Sequence, residues 1–221
     1  MTAKDPLLLQ AVAERKITEV MHFTTNRGLT GIMQLDRLVS RAKLQNPEYL
    51  KEVESILKLN CFSRPRDADY LDYVNMSISR INDKFFGHSK GWHRHDDVFW
   101  QILSFDSEII AHEGAIFSTT NNIYSGCMRG TGPSGFEAMF KPRVKEFVGS
   151  RNTFISRQTD MPLHYTTCKQ AELLYPGEIP AAYLRRIYVR TESDRAETLA
   201  MIDAGKYRKV PVEVHPALFG E

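Results

Sequence analysis

Glu172 stands in the string Lys169-Gln170-Ala171-Glu172-Leu173-Leu174, where polar and apolar residues alternate. In an extended strand, side chains two positions apart point the same way, so Gln170 and Glu172 would share one face and Ala171 and Leu173 the other. One face then suits a core and the other a cleft. A carboxylate in a cleft stabilises a developing positive charge or takes a proton from an acceptor. A solvated polar face on an edge strand gives the same pattern, and composition does not decide between the two. His22 lies in the strand-like run Val20-Met21-His22-Phe23-Thr24, as either a satisfied core histidine or a binding group. Arg80 follows the alternating run Tyr73 to Ser79; its guanidinium suits bidentate phosphate contact and equally a solvated strand end. The stretch from Lys141 to Gln158 sets Lys141, Arg143, Lys145, Arg151 and Arg157 against Glu146 alone, with Phe140, Phe147 and Phe154 interleaved. Such a segment offers cations to a nucleic-acid backbone and aromatic faces to unpaired bases. The alternative is a solvated basic face over core phenylalanines.

Two other groupings carry less. His88, His93, His95, Asp96 and Asp97 contain ligand types, but His-x-His on a loop lacks the distant ligand pair that an ordered zinc site needs, so no metal is expected. Gly126, Gly130, Gly132 and Gly135 do not follow a strand and open a helix with GxGxxG spacing, which argues against a Rossmann cofactor site.

The elements that must position these residues mix without regular strand-helix alternation. A short amphipathic helix is expected over 5–16, with Asp5 as N-cap and Pro6 in its first turn. Val20 to Thr24 reads as a strand, Asn26-Arg27-Gly28 as a turn, and the following residues as a helix presenting Leu29, Ile32 and Met33. A second amphipathic helix is expected over 47–59. Further strands are expected at Tyr73 to Ser79, Val98 to Phe105, 168–174, 184–190 and 210–214, with a charged helix over 191–204. The stretch 119–136 reads as an ordered loop with one or two turns of helix. The fold class is therefore α+β, with an antiparallel or split sheet and surrounding helices.

The chain has 221 residues, enough for one domain spanning 1–221. At 42% hydrophobic and 25% charged it can bury a core, and a net charge of +2 means that any nucleic-acid affinity must come from local clustering. Cys61, Cys127 and Cys168 form neither a CxxC pair nor a disulfide framework, which suits a reducing compartment. The N-terminus lacks the pattern of a signal peptide and no window matches a membrane span, so a cytoplasmic protein is expected.

Three blocks, in order along the chain, resemble one family. The string from Gln170 to Pro180, continuing to Tyr183-Leu184, is similar to the catalytic region of DarT-type DNA ADP-ribosyltransferases, toxins of toxin–antitoxin pairs. Met21 to Ile32 resembles that family's His-x-Thr block with its Leu-x-x-Ile helix, and Val74 to Arg80 resembles its second-strand block ending in a functional arginine. The resemblance implies an ADP-ribosyltransferase fold, a split antiparallel sheet holding NAD as co-substrate between two half-sheets. It implies Glu172 and Arg80 as catalytic residues, and His22, Thr24, Ser77 and Arg80 as cofactor contacts. Gln170, Arg151 and Arg157 are the substrate contacts expected on the acceptor side. The expected activity is transfer of ADP-ribose from NAD to a base of single-stranded DNA, since a duplex buries the pairing edge. Ser77 and Ser79 stand where thymidine-modifying members carry bulkier residues, which orders guanine ahead of thymine. The resemblance further implies a partner antitoxin with an ADP-ribose-removing macrodomain. An RNA acceptor, a metal-dependent nuclease built on 88–97 and a non-catalytic nucleic-acid-binding module are the competing readings.

Overall fold

A computed structural model of the chain describes residues 3–44, 69–91, 97–148 and 151–220. The helix expected over 47–59 lies outside the described residues, as do Cys61, His93, His95 and Asp96.

Helix α1 (Pro6–Glu14) starts where a carboxylate can satisfy its first donors. Asp5 Oδ1 accepts the N–H groups of Leu7 at 2.9 Å and Leu8 at 3.3 Å, and Leu8 and Val12 are buried. Strand β1 (Glu19–Thr25) runs directly into α2 (Asn26–Leu35). The expected turn at Asn26-Arg27-Gly28 is instead the first turn of this helix. Thr25 caps it, its hydroxyl accepting the Gly28 N–H at 3.2 Å, so no separate reversal is needed. Then follow β2 (Arg37–Val39), the single turn α3 (Arg41–Leu44), β3 (Tyr73–Ile78), α4 (Asp83–Lys90) and β4 (Trp100–Asp106). The second half comprises β5 (Ile116–Ser118), β6 (Arg129–Thr131), α5 (Gly132–Ala138), β7 (Arg143–Val148), β8 (Arg151–Ser156), β9 (Glu172–Pro176), β10 (Glu178–Pro180), β11 (Leu184–Val189), α6 (Glu192–Ala204) and β12 (Val212–Val214).

Eight strands form one sheet in the order β12-β11-β4-β1-β3-β9-β5-β6. Neighbours are antiparallel except β11 and β12, which α6 joins as a crossover and so leaves parallel. The sheet is split in its middle. β1 pairs with β4 from Glu19↔Asp106 to Thr25↔Trp100, and β3 pairs with β9 from Tyr73↔Pro176 to Met76↔Leu173. Between β1 and β3 only Val20↔Ile78 and Met21↔Ser77 are paired, so the two halves part beyond Met21. Val20, Ile78, Leu103, Phe105, Phe117 and Leu173 are fully buried in a core that continues across both halves. Among the described residues no helix is long and apolar enough to cross a membrane.

The glycine-rich stretch holds more structure than a loop. It contains β6 and the start of α5, packed so closely that a Cβ on Gly135 would lie 2.4 Å from the carbonyl carbon of Gly130. Gly130 and Gly135 serve this close backbone approach, which a Cβ at either would block.

Candidate active site

Register places the chemistry in one row. Ser118 pairs with Glu172 across β5 and β9, and with Arg129 across β5 and β6. One step beyond Met76↔Leu173 in the same antiparallel register brings Ser77 opposite Glu172. Ser77, Glu172, Ser118 and Arg129 therefore stand side by side on one face of four adjacent strands. Glu172 is the first residue of β9 and is buried, 6% exposed. Its Oε2 accepts the backbone N–H of Asn122 at 2.7 Å, a charge-assisted bond that fixes the carboxylate.

Asn122 belongs to the buried loop between β5 and β6, in which Thr119, Thr120, Asn121 and Asn122 are all buried. Arg129 clamps that loop. Its Nε donates to Asn122 Oδ1 at 2.6 Å, its Nη2 donates to the Asn122 carbonyl, and its guanidinium lies 5.1 Å over the ring of Tyr70. No local pattern in the sequence signals Asn122, Ser118 or Arg129, because their link to Glu172 runs through strand pairing and a backbone N–H.

His22 sits in the split. Its Nδ1 lies 2.9 Å from the carbonyl of Asn75, filling the gap left where β1 and β3 cease to pair. A carbonyl only accepts, so Nδ1 carries the proton and Nε2 keeps its lone pair. Burial lowers the pKa of this imidazole, against the opposing pull of the Asn75 carbonyl, and favours the neutral ring. Thr24 follows two residues on and is buried.

Arg80 leaves β3 through Ser79, whose φ of +58° turns the chain out of the strand. Its guanidinium packs 4.5 Å over the ring of Tyr165 and Nη2 donates to the Thr166 carbonyl at 2.7 Å, while Nε has no acceptor among the described residues. Burial lowers its pKa, with Tyr165 and Asp83 opposing, and the group stays cationic at neutral pH. The thiols of Cys127 and Cys168 are pushed up by burial, which makes them inert core groups.

On the acceptor side the structure corrects the placement of Gln170 on the strand and the reading of the basic segment as one block, and it shows what Arg157 holds. Gln170 is not on the strand with Glu172, since it occupies a turn that ends before β9 begins. Its amide is engaged at both ends, Oε1 accepting from Tyr124 Oη at 3.1 Å and Nε2 donating to Glu146 Oε1 at 2.6 Å. Arg157 turns back on its own loop, donating to the carbonyls of Tyr165 at 2.6 Å and Pro162 at 2.7 Å, and so braces the chain ahead of Glu172. The basic segment is no uniform block but the hairpin β7–β8, whose pleat sorts its side chains. Val144 and Ile155 face the core along with Glu146, while Arg143, Lys145 and Phe154 share the outer face. Phe154 is 49% exposed with Arg143 stacked 4.1 Å from its ring centroid, whereas Phe140 is a core residue. The side chain of Arg151 lies outside the described residues. His88 is carried on α4 and Asp97 is paired with Arg27 at 2.6 Å. No group of three metal-ligating side chains is assembled among the described residues.

A cavity of about 340 Å³, lined by Lys4, Leu8, His112 and Gly132, takes in none of these residues and lies apart from the row.

A split antiparallel sheet, an imidazole in the split, a cation at the end of the next strand and a buried glutamate beside it define the ADP-ribosyltransferase class. The profile of the ssDNA thymidine ADP-ribosyltransferase family DarT matches residues 21–220, and the chain belongs to that family of NAD-using enzymes. DarT from Thermus sp. 2.9 in complex with ADP-ribosylated ssDNA superposes with a TM-score of 0.62 at 15% identity, covering 99% of this chain and 100% of that one. The same protein in complex with NAD+ gives a TM-score of 0.60 at 16% identity, covering 92% and 98%. Thermosipho africanus DarTG in complex with ADP-ribose gives 0.57 at 13% identity, covering 91% of this chain and 51% of that one. No curated protein matches the sequence significantly.

Proposed function

We propose that this protein transfers ADP-ribose from NAD to a thymine base of single-stranded DNA, with Glu172 as its catalytic carboxylate. The observation that carries this is the buried Glu172 carboxylate, held by the Asn122 N–H in the row that Ser77 and Ser118 complete. NAD brings the chemistry of its nicotinamide–ribose bond, whose cleavage leaves positive charge on the sugar. A fixed carboxylate stabilises that charge without reorganising as it develops. The same carboxylate accepts the proton of the acceptor nitrogen. The neutral imidazole of His22 offers Nε2 to a ribose hydroxyl, with Thr24 beside it. Arg80 brings a guanidinium cation to the cofactor's anionic half, and Ser77 lines the cleft beside Glu172.

Thymine is placed ahead of guanine for two reasons. The family is defined by thymidine transfer. Ser79, one of the two serines that favoured guanine, has a left-handed backbone and a buried hydroxyl, so it shapes the exit to Arg80 rather than an acceptor pocket. A partner antitoxin whose macrodomain removes ADP-ribose completes the reading, in keeping with the DarTG relative.

Incubation with NAD and oligonucleotides that contain or lack dT, followed by mass analysis, tests it. The expected product is one ADP-ribose on the dT-containing single strand, and none on matched RNA or on the dT-free strand. Glu172→Gln should fold normally and lose about a hundredfold or more in transfer. Near-wild-type transfer by that variant removes the central assignment, and label on dG alone reverses the choice of base.

A further inference from the structure

Glu146 is the one acidic residue in an otherwise basic segment, and the fold uses it differently from its neighbours. The pleat of β7–β8 turns it inward with Val144, while Arg143 and Lys145 point out. There its Oε1 accepts from Gln170 Nε2 at 2.6 Å, and Gln170 Oε1 accepts in turn from Tyr124 Oη at 3.1 Å. Tyr124 lies in the same loop as Asn122, whose N–H holds Glu172, and its own N–H donates to the Asn121 carbonyl at 3.0 Å. A continuous strap thus joins the basic hairpin, the turn before β9, the buried loop and the catalytic carboxylate. Both ends of the Gln170 amide are drawn into that strap, so its hydrogen bonds hold these elements together.

We infer that Glu146, acting through Gln170, is a positioning residue that sets DNA held on the outer face of β7–β8 in register with Glu172. The inference rests on the proposed function. A hydrogen bond to a charged acceptor between two half-buried elements fixes their relative placement better than packing alone, because its direction as well as its distance is constrained. Breaking it leaves the outward cations of the hairpin in place, so DNA is still bound, but the bound base is no longer held against the carboxylate.

The test is steady-state transfer by the full chain to a dT-containing single strand, with DNA and NAD varied separately, together with equilibrium DNA binding. Glu146→Ala should lower kcat by about ten- to a hundredfold, the range expected when a hydrogen bond to a charged group is removed. Its KM for NAD and its affinity for the strand should both stay within about twofold of wild type. Glu146→Gln should restore most of the rate, since its carbonyl still accepts from Gln170. Gln170→Ala combined with Glu146→Ala should be no slower than Gln170→Ala alone, because both remove one interaction. Unchanged kcat in Glu146→Ala, additive losses in the double variant, failure of Glu146→Gln to rescue, or a parallel loss of DNA affinity would each overturn the inference. Absence of transfer by the wild-type chain would remove the proposed function and this inference together, whereas wild-type transfer with an indifferent Glu146→Ala removes the inference alone.

Discussion

At the scale of single residues, the fold sets the protonation state of His22, the proposed cofactor contact. Its Nδ1–H is committed to the Asn75 carbonyl, and burial lowers its pKa below the ordinary imidazole value. The unfolded chain therefore takes up a proton first as pH falls. The contribution of His22 to stability is full above the unfolded value of about 6.5 and is lost as pH drops from there through the folded pKa. His22→Asn keeps a donor for the Asn75 carbonyl and cannot titrate in this range. Melting temperatures measured from about pH 7.5 down to about pH 5 should fall more steeply for wild type than for His22→Asn, and wild-type NAD affinity should weaken over the same interval. Parallel melting curves for the two proteins would show that His22 is not buried as the neutral ring.

At the scale of elements, the hairpin β7–β8 and the loop that follows it divide between them the positive charge that the sequence presents as one block. Arg143 and Lys145 share the outer face, whereas the guanidinium of Arg157 is spent on the Tyr165 and Pro162 carbonyls. Reversing Arg143 and Lys145 to Glu should weaken single-strand binding for every sequence alike. The slope of log affinity against log salt should flatten by about 0.7 for each phosphate that the protein no longer neutralises, with little change in melting temperature. Arg157→Glu should instead lower the melting temperature, because two loop carbonyls are deprived of a charged donor. Binding titrations across a salt series, paired with thermal melts, separate these outcomes. An unchanged salt slope in the hairpin variant would move the DNA-binding surface elsewhere.

On the scale of the whole molecule, one core runs through both halves of the split sheet, from Val20 and Leu103 on one side to Phe117 and Leu173 on the other. A ligand bridging the split then stabilises the entire folded state rather than one lobe. Residues 1–221 should unfold as a single cooperative unit, and a non-hydrolysable NAD analogue at about a hundred times its dissociation constant should add about 2.7 kcal/mol to its stability. Calorimetry with and without the analogue measures both quantities. Two separate transitions, only one of them responsive to the analogue, would show that the halves fold independently.

The sequence by itself determined the elements whose signals are local. The Asp5 cap, the Val20 to Thr24 strand, the Tyr73 to Ser79 strand (which ends one residue early, at Ile78) and the charged helix ending at Ala204 follow from side-chain period and capping chemistry within a few residues. Three short blocks likewise pointed to the family, and with it to Glu172, His22 and Arg80. The tertiary structure decided everything that depends on which strand lies beside which. Only strand pairing puts Ser118 and Arg129 next to Glu172, from which they are far removed along the chain. Only the packed loop before β9 turns Gln170 away from the strand pleat and Arg157 toward carbonyls, because amide and backbone groups that leave water must find partners within the protein. Alternation along the chain fixes which residues share a face, but the partner across that face is supplied by a distant segment, and no local pattern encodes its register.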